Sequence, residues 1–390
     1  MWIQFKQWLP ILSISLTAFL LVTSELIPIG ILNQISADLA IPPSQIGLMI
    51  SIPSLMAAVS AILFPFIFKK FNRQFIFISL TVIMIISNLL VYVSHDYPII
   101  LFGRLIIGIA IGGFATLSIT SCRLYTPDIN HIATAISIVI IGMTLATVLG
   151  LPFGIWISHV LGWRQIFLII SLLSLVLLII QLKFLPQRYA TEVISFNNIL
   201  ILISNSQTRI HIYIALLIFL AHFICYSYIS VLFERVFSLT TQMTALLLCI
   251  FGVSSILGNF AASRSKQNNV DRYLVSSFFI FCLSLGLILS HLTLLLYMAC
   301  VLWGLAFGVF SSAINIFITY QIPKHIENGM PLFIALIQLT IMFGSFSGGF
   351  LLNQFGINSV FISSFVLFTL CTFCFVLYGL KTTGLREFSK

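Results

Sequence analysis

The chain alternates long apolar runs with short polar breaks. Twelve runs reach spanning length, at about 8–34, 45–67, 74–94, 98–122, 132–156, 163–185, 211–236, 241–262, 272–290, 292–319, 329–352 and 357–380. At 1.5 Å per helical residue, each can cross a hydrocarbon layer of about 30 Å. Most breaks are only a few residues long, so no soluble domain is inserted. The longest, 186–210, contains "SFNNILILIS", which reads as a short interfacial helix. The expected fold class is an all-α membrane protein, with twelve transmembrane helices in two six-helix pseudo-symmetric bundles. Residues 1–185 form the first bundle, 186–210 a cytoplasmic linker and 211–390 the second bundle. The first run is too long for a cleaved leader and reads as a retained span.

The pattern repeats. "GLPFGIWISHVLGWRQIF" near the end of the first half is echoed by "GSFSGGFLLNQFGINSVF" in the second. Gly150, Gly162 and Phe167 return as Gly344, Gly356 and Phe361, each 194 positions later, close to half of the 390 residues. A parallel duplication of six helices places a transport site between the halves, near the bilayer midplane.

Composition then narrows the class. The chain is 60% hydrophobic and 7% charged, whereas soluble domains carry about 25% charged residues. Of 18 Lys and Arg, 15 fall at the chain ends or in every second loop; Arg104, Arg164 and Arg235 are the others. That bias predicts a cytoplasmic (inner) membrane protein with both termini cytoplasmic. No contiguous basic patch suggests nucleic acid. Seven Cys are scattered through apolar runs, and the Cys371/Cys374 pair lacks the basic surroundings of a reactive thiol. No metal-ligand spacing and no paired catalytic groups appear, so neither metal nor cofactor is expected, and no enzyme.

Candidate chemistry rests on few residues. Seven of the nine acids fall in loops or the tail, leaving Glu25 and Glu234 within apolar runs. An acid at a helix centre costs roughly 2.5–3.5 kcal/mol and is usually turned toward a partner or a wet cavity. A carboxylate balanced between lost hydration and a nearby cation can exchange a proton near neutral pH. Arg104, about 12 Å into the fourth run by helical rise, reaches a similar depth and is the expected counter-ion. The pair reads either as proton-coupling machinery or as a structural ion pair. Pro28 should kink the first helix beside Glu25 and free a carbonyl that a neighbour must satisfy. Glu234, beside Arg235, is a second proton candidate or an interfacial ion pair. His222, with Tyr226 one turn on, either contacts substrate or is a satisfied interior histidine. Asn259, Asn315 and Gln338 either bond between helices or touch substrate. Gly108, Gly150, Pro152 and Gly154 mark a close-packed seam, or a hinge on which the halves rock.

These residues together resemble the Major Facilitator Superfamily, in its drug:proton antiporter branch with the sugar and nucleoside efflux permeases. "SELIPIGIL", at Glu25, Pro28 and Gly30, resembles the acidic signature of span one. "GRLIIGIAIGG" resembles the R-x-x-x-G motif of span four, at Arg104 and Gly108. "GLPFG" with "LGWRQIF" resembles the antiporter motif of span five and its exit; "HFICYSYISVLFE" and "WGLAFG" resemble spans seven and ten. Two motifs depart: "FPFIFKKFNRQF" keeps only the basic residues of the usual loop, and Gln338 stands where many relatives show Asn. The resemblance implies proton-coupled export of a small drug, sugar, nucleoside or related metabolite by alternating access. Its partners would be that substrate, protons and the lipid bilayer, and the chain would act as a monomer. An uncoupled facilitator or a proton symporter would use the same residues. An intramembrane enzyme would need a constellation that the chain does not display.

Overall fold

The computed structural model describes residues 2–126, 131–189, 206–263, 270–321 and 326–387. Twelve candidate spans lie among them: Gln7–Gly30, Pro43–Ile67, Arg73–Val93, Tyr97–Tyr125, Ile132–Leu161, Trp163–Phe184, Arg209–Arg235, Thr241–Ser263, Val270–Leu289, Thr293–Ile318, Gly329–Phe355 and Ile357–Leu377. They are numbered 1 to 12 below. The bounds agree with the hydrophobic pattern to within a few residues, because loss of backbone hydration forces each apolar run to bond within itself. Bulky apolar side chains such as Phe153, Trp156, Phe350 and Phe373 cover the outside, as expected of a multi-pass membrane protein. The interfacial helix expected in the linker falls at residues outside the described ones.

Spans 1, 5 and 7 are not simple helices. Span 1 ends at Gly30, and after a bend at Ile31 (φ −111°, ψ 15°) a short helix, Leu32–Leu39, continues. Span 7 stops at Tyr226 and restarts as Ile229–Arg235. Spans 1 and 7 open the two halves, so each half begins with a broken helix. Span 5 passes through a wide π turn, Ala146–Gly150, between α segments Ile132–Leu145 and Leu151–Leu161. The turn lies directly before Pro152, whose missing N–H and ring disturb the preceding ladder.

The duplication is visible in the backbone. Gly162 and Gly356 turn the chain into the last helix of each half with φ of +97° and +80°, a conformation that L side chains resist. Gly150 packs on span 1, where an added Cβ would sit 2.1 Å from Thr23 Oγ1; Gly344 packs on span 7, where it would meet Phe223 Cβ at 2.9 Å.

Gly142, Gly150 and Gly154 all face span 1, opposite Ser15, Thr23 and Ile27, and Gly108 faces Pro53 of span 2. These are close contacts within the first half. For Gly108, Gly150 and Gly154 this is the close-packed alternative: small residues there let neighbouring helices of one bundle approach.

The halves meet along spans 2 and 11, where Ala58 and Ala61 touch Ala335, and where Gly252 of span 8 approaches Val148 of span 5. At the end of the bundle opposite the termini, called distal here, one apolar core runs across both halves. It joins Ile27, Ile31 and Met49 to Tyr228, Phe233 and Leu248. Toward the termini the first half keeps a separate core of Ile11, Phe77, Leu117 and Leu177.

Candidate functional site

The site begins with two prolines. Pro28 lies inside span 1 and Pro53 inside span 2. Neither can donate to the carbonyl four residues back, so Ser24 and Met49 each lose a helical partner. Leaving such a group bare in an apolar interior costs about 1–3 kcal/mol. Arg104 of span 4 reaches both: Nη1 donates to the Ser24 carbonyl at 2.9 Å and Nε to the Met49 carbonyl at 3.0 Å, while Nη2 donates to the Glu25 carbonyl at 3.2 Å. The guanidinium is fully buried. Its fork geometry lets one side chain bind acceptors on two helices.

Arg104 lies close enough to Glu25 for their charges to interact, but its hydrogen bonds go to main-chain oxygens. Arg104 holds the main chain of Glu25, and none of its three hydrogen bonds ends on the carboxylate. Glu25 is buried, and its carboxylate accepts from a different side chain. Gln338 of span 11 donates from Nε2 to Glu25 Oε1 at 3.4 Å. That contact crosses from one half to the other. Gln338 Oε1 has no hydrogen-bond partner. Beside Glu25, Ser24 Oγ donates to Asn88 Oδ1 at 2.9 Å, which ties span 1 to span 3.

The second half supplies an aromatic box. Trp303 Nε1 donates to His222 Nδ1 at 3.1 Å. The neutral ring therefore carries its hydrogen on Nε2. Tyr226 stacks on one face of the imidazole at 4.8 Å and Phe307 on the other at 4.3 Å; Phe251 flanks Tyr226 at 5.0 Å. His222 and Tyr226 are thus brought together as expected, with the histidine fixed by Trp303. Of the three amides, Gln338 joins Glu25. Asn259 lies on the seam between spans 8 and 10, its carbonyl accepting from Ser312 at 3.4 Å. Asn315 is exposed and donates to the Ser311 carbonyl of its own helix at 2.7 Å.

Glu234 belongs elsewhere. Its Oε2 accepts from Asn33 at 2.7 Å, and Asn33 also donates to the Ser230 carbonyl at 3.2 Å. Ser230 Oγ donates to the Ile29 carbonyl at 2.6 Å. The broken ends of spans 1 and 7 are therefore sewn together at the distal end. Tyr228, fully buried at the span 7 break, donates to the Ser345 carbonyl at 2.8 Å. A Cβ on Gly47, at the start of span 2, would fall 1.8 Å from its hydroxyl. Nearby, Arg164 binds Asp38, which also accepts from Trp163 Nε1 at 3.2 Å. The hydrogen bond from Arg164 holds the Asp38 carboxyl below the usual carboxylate range. Asn33, Tyr228 and Ser230 escape sequence reasoning. They are short polar or aromatic residues whose partners lie some 120 to 200 positions away, beyond any local pattern.

The family model described as Major Facilitator Superfamily matches residues 14–330. A protein of Pseudomonas aeruginosa named "Transcription regulatory protein OpdE" is 28% identical over 381 residues, covering 96% of this chain and 94% of that one. A "Probable sugar efflux transporter" of Pasteurella multocida is 25% identical over 376 residues, covering 95% and 93%. Among solved structures, a bacterial homolog of the human lysosomal transporter Spinster, inward-facing and unoccupied, superposes with a TM-score of 0.77 at 14% identity, covering 95% of this chain and 96% of that one. The nucleoside transporter NupG gives 0.72 at 17% identity, covering 95% and 98%.

Proposed function

The chain belongs to the Major Facilitator Superfamily, a family of transporters of small substrates, and on that premise we propose that it is a proton-coupled exporter. Its cargo is a neutral polar or amphiphilic molecule of the sugar, nucleoside or drug kind. The observation that carries this reading is the placement of Glu25. It is a buried acid where the two halves touch, and its carboxylate accepts its hydrogen bond from an amide of the other half, with Arg104 of its own half nearby. A group so placed changes its surroundings whenever the halves rock, which is what coupling requires.

In the proposed cycle Glu25 takes a proton while the distal end is open. The halves close distally, the proton leaves toward the termini, and substrate enters from that side. Reopening releases substrate distally. The charge bias supports a cytoplasmic-membrane location with both termini inside, so the distal end faces out. A membrane potential adds about 2.3 kcal/mol per charge moved per 100 mV. Arg104 serves the cycle by holding the kinked main chain that aims Glu25. His222 and Tyr226 are buried and form the wall behind Phe307, the half-buried ring of the box, which is the one placed to meet a sugar or nucleobase ring. The name of the Pasteurella relative supports a sugar-like cargo.

The reading is tested with everted membrane vesicles and a panel of labelled sugars, nucleosides and cationic drugs. At least one should accumulate when the lumen is made acidic, and the accumulation should vanish when the gradient is collapsed. Equilibration without accumulation, whatever the gradient, would identify a facilitator instead.

A further inference from the structure

We propose that Gln338 and Glu25 form a proton-dependent latch between the two halves: a neutral acid paired with a carboxamide while the distal end is closed. This rests on the reading of Glu25 as the proton site and adds how the second half senses the proton. Two observations carry it. The Gln338 amide nitrogen donates to Glu25 Oε1 across the interface. The Gln338 amide oxygen is buried with no donor in reach. A buried acceptor without a donor is costly. A proton on Glu25 Oε2 supplies that donor, and the acid and the amide then satisfy each other in a ring of two hydrogen bonds. Loss of the proton keeps the N–H contact but turns the second into carboxylate oxygen against carbonyl oxygen, and water, which hydrates the charge without that repulsion, then displaces the amide.

The surroundings leave this role to Gln338. Arg104 on span 4 is the charged group near Glu25, and its three hydrogen bonds go to the carbonyls of Ser24, Glu25 and Met49 rather than to the carboxylate. Span 2 presents the Met49 carbonyl, span 3 Asn88 bound to Ser24, and span 5 Gly150 against Thr23. Span 6 presents Gln181, which donates to Thr17. On span 7, Glu234 is occupied by Asn33 at the distal end, with Arg235 beside it. Elsewhere toward the distal end, Asp38 and His159 bind Arg164 and Gln242. Gln338 is the polar side chain of span 11 that meets the carboxylate.

The latch is tested on the purified full-length protein in lipid nanodiscs, with spin labels at the exposed distal positions His95 and Leu292 reporting the distance between halves across a pH series. Wild type should close distally as pH falls. Gln338→Leu, close in size, should still close, with its midpoint about one pH unit lower, a loss of about tenfold in proton affinity. Gln338→Asn should lie between, because the shorter amide reaches less well. The infrared C=O band of the protonated acid, identified by its absence in Glu25→Gln, should shift in Gln338→Leu. An unchanged midpoint and band in Gln338→Leu, with pH dependence lost in Glu25→Gln, would overturn the latch and leave Glu25 as the proton site. Closure that stays pH-dependent in Glu25→Gln, or a wild type that does not respond to pH, would overturn both.

Discussion

Arg104 is the residue whose role changes most once its contacts are known. It sits in a motif read as a counter-ion, yet it caps two carbonyls orphaned by prolines in two other helices. If so, its removal is a backbone problem before it is a charge problem. Arg104→Gln should lower stability by about 3 kcal/mol, from uncovered carbonyls at about 1–3 kcal/mol each with partial relaxation. Adding Pro28→Ala and Pro53→Ala returns the missing N–H groups and should recover most of the melting temperature in detergent. Arg104→Lys should recover less, because a single ammonium does not fork between two helices. A variant that is no more stable with the prolines replaced would contradict the clamp. Part of this was readable beforehand: a proline names the carbonyl it orphans, four residues back. What fills the gap depends on how spans 1, 2 and 4 pack, and spacing does not encode that.

At the scale of elements, the two broken helices decide which acid does what. The break in span 1 has a sequence signal in Pro28 and Gly30. The break in span 7, within "YSYIS", has none, because tertiary hydrogen bonds through Tyr228 and Ser230 hold it open. Glu234 and Glu25 are both acids within apolar runs and both meet the opposite half, but with different partners: Glu234 binds Asn33 at the distal end, whereas Glu25 binds Gln338 of span 11. Glu234→Gln should therefore leave gradient-driven transport in place, while Asn33→Leu with Glu234→Leu should loosen distal closure in the spin-label distances. Gly47→Val should do the same by driving a side chain into the Tyr228 hydroxyl. The Asp38–Arg164 contact is a surface pair worth about 0.2–1 kcal/mol. Its carboxyl is held below the usual range, so its contribution is complete above about pH 4 and fades as pH falls through the lowered value. On acidification below about pH 4, the wild-type melting temperature should fall more steeply than that of Asp38→Asn.

For the whole molecule, the architecture was the most legible level. Lipid forces each spanning run to be helical, so run lengths alone set the helix count. The offset of 194 residues pairs Gly162 with Gly356, and both turn the chain with positive φ. The working parts were less legible because they arise between helices that are far apart in sequence: Gln338 and Glu25 are 313 positions apart. The central claim is that one acid carries the coupled proton. Its most direct test uses proteoliposomes containing the substrate found by the vesicle screen, with a pH dye in the lumen. Substrate added to wild type should move protons in the opposite direction, and Glu25→Gln should exchange labelled substrate at equilibrium while moving none. Proton movement that persists in Glu25→Gln would contradict the account.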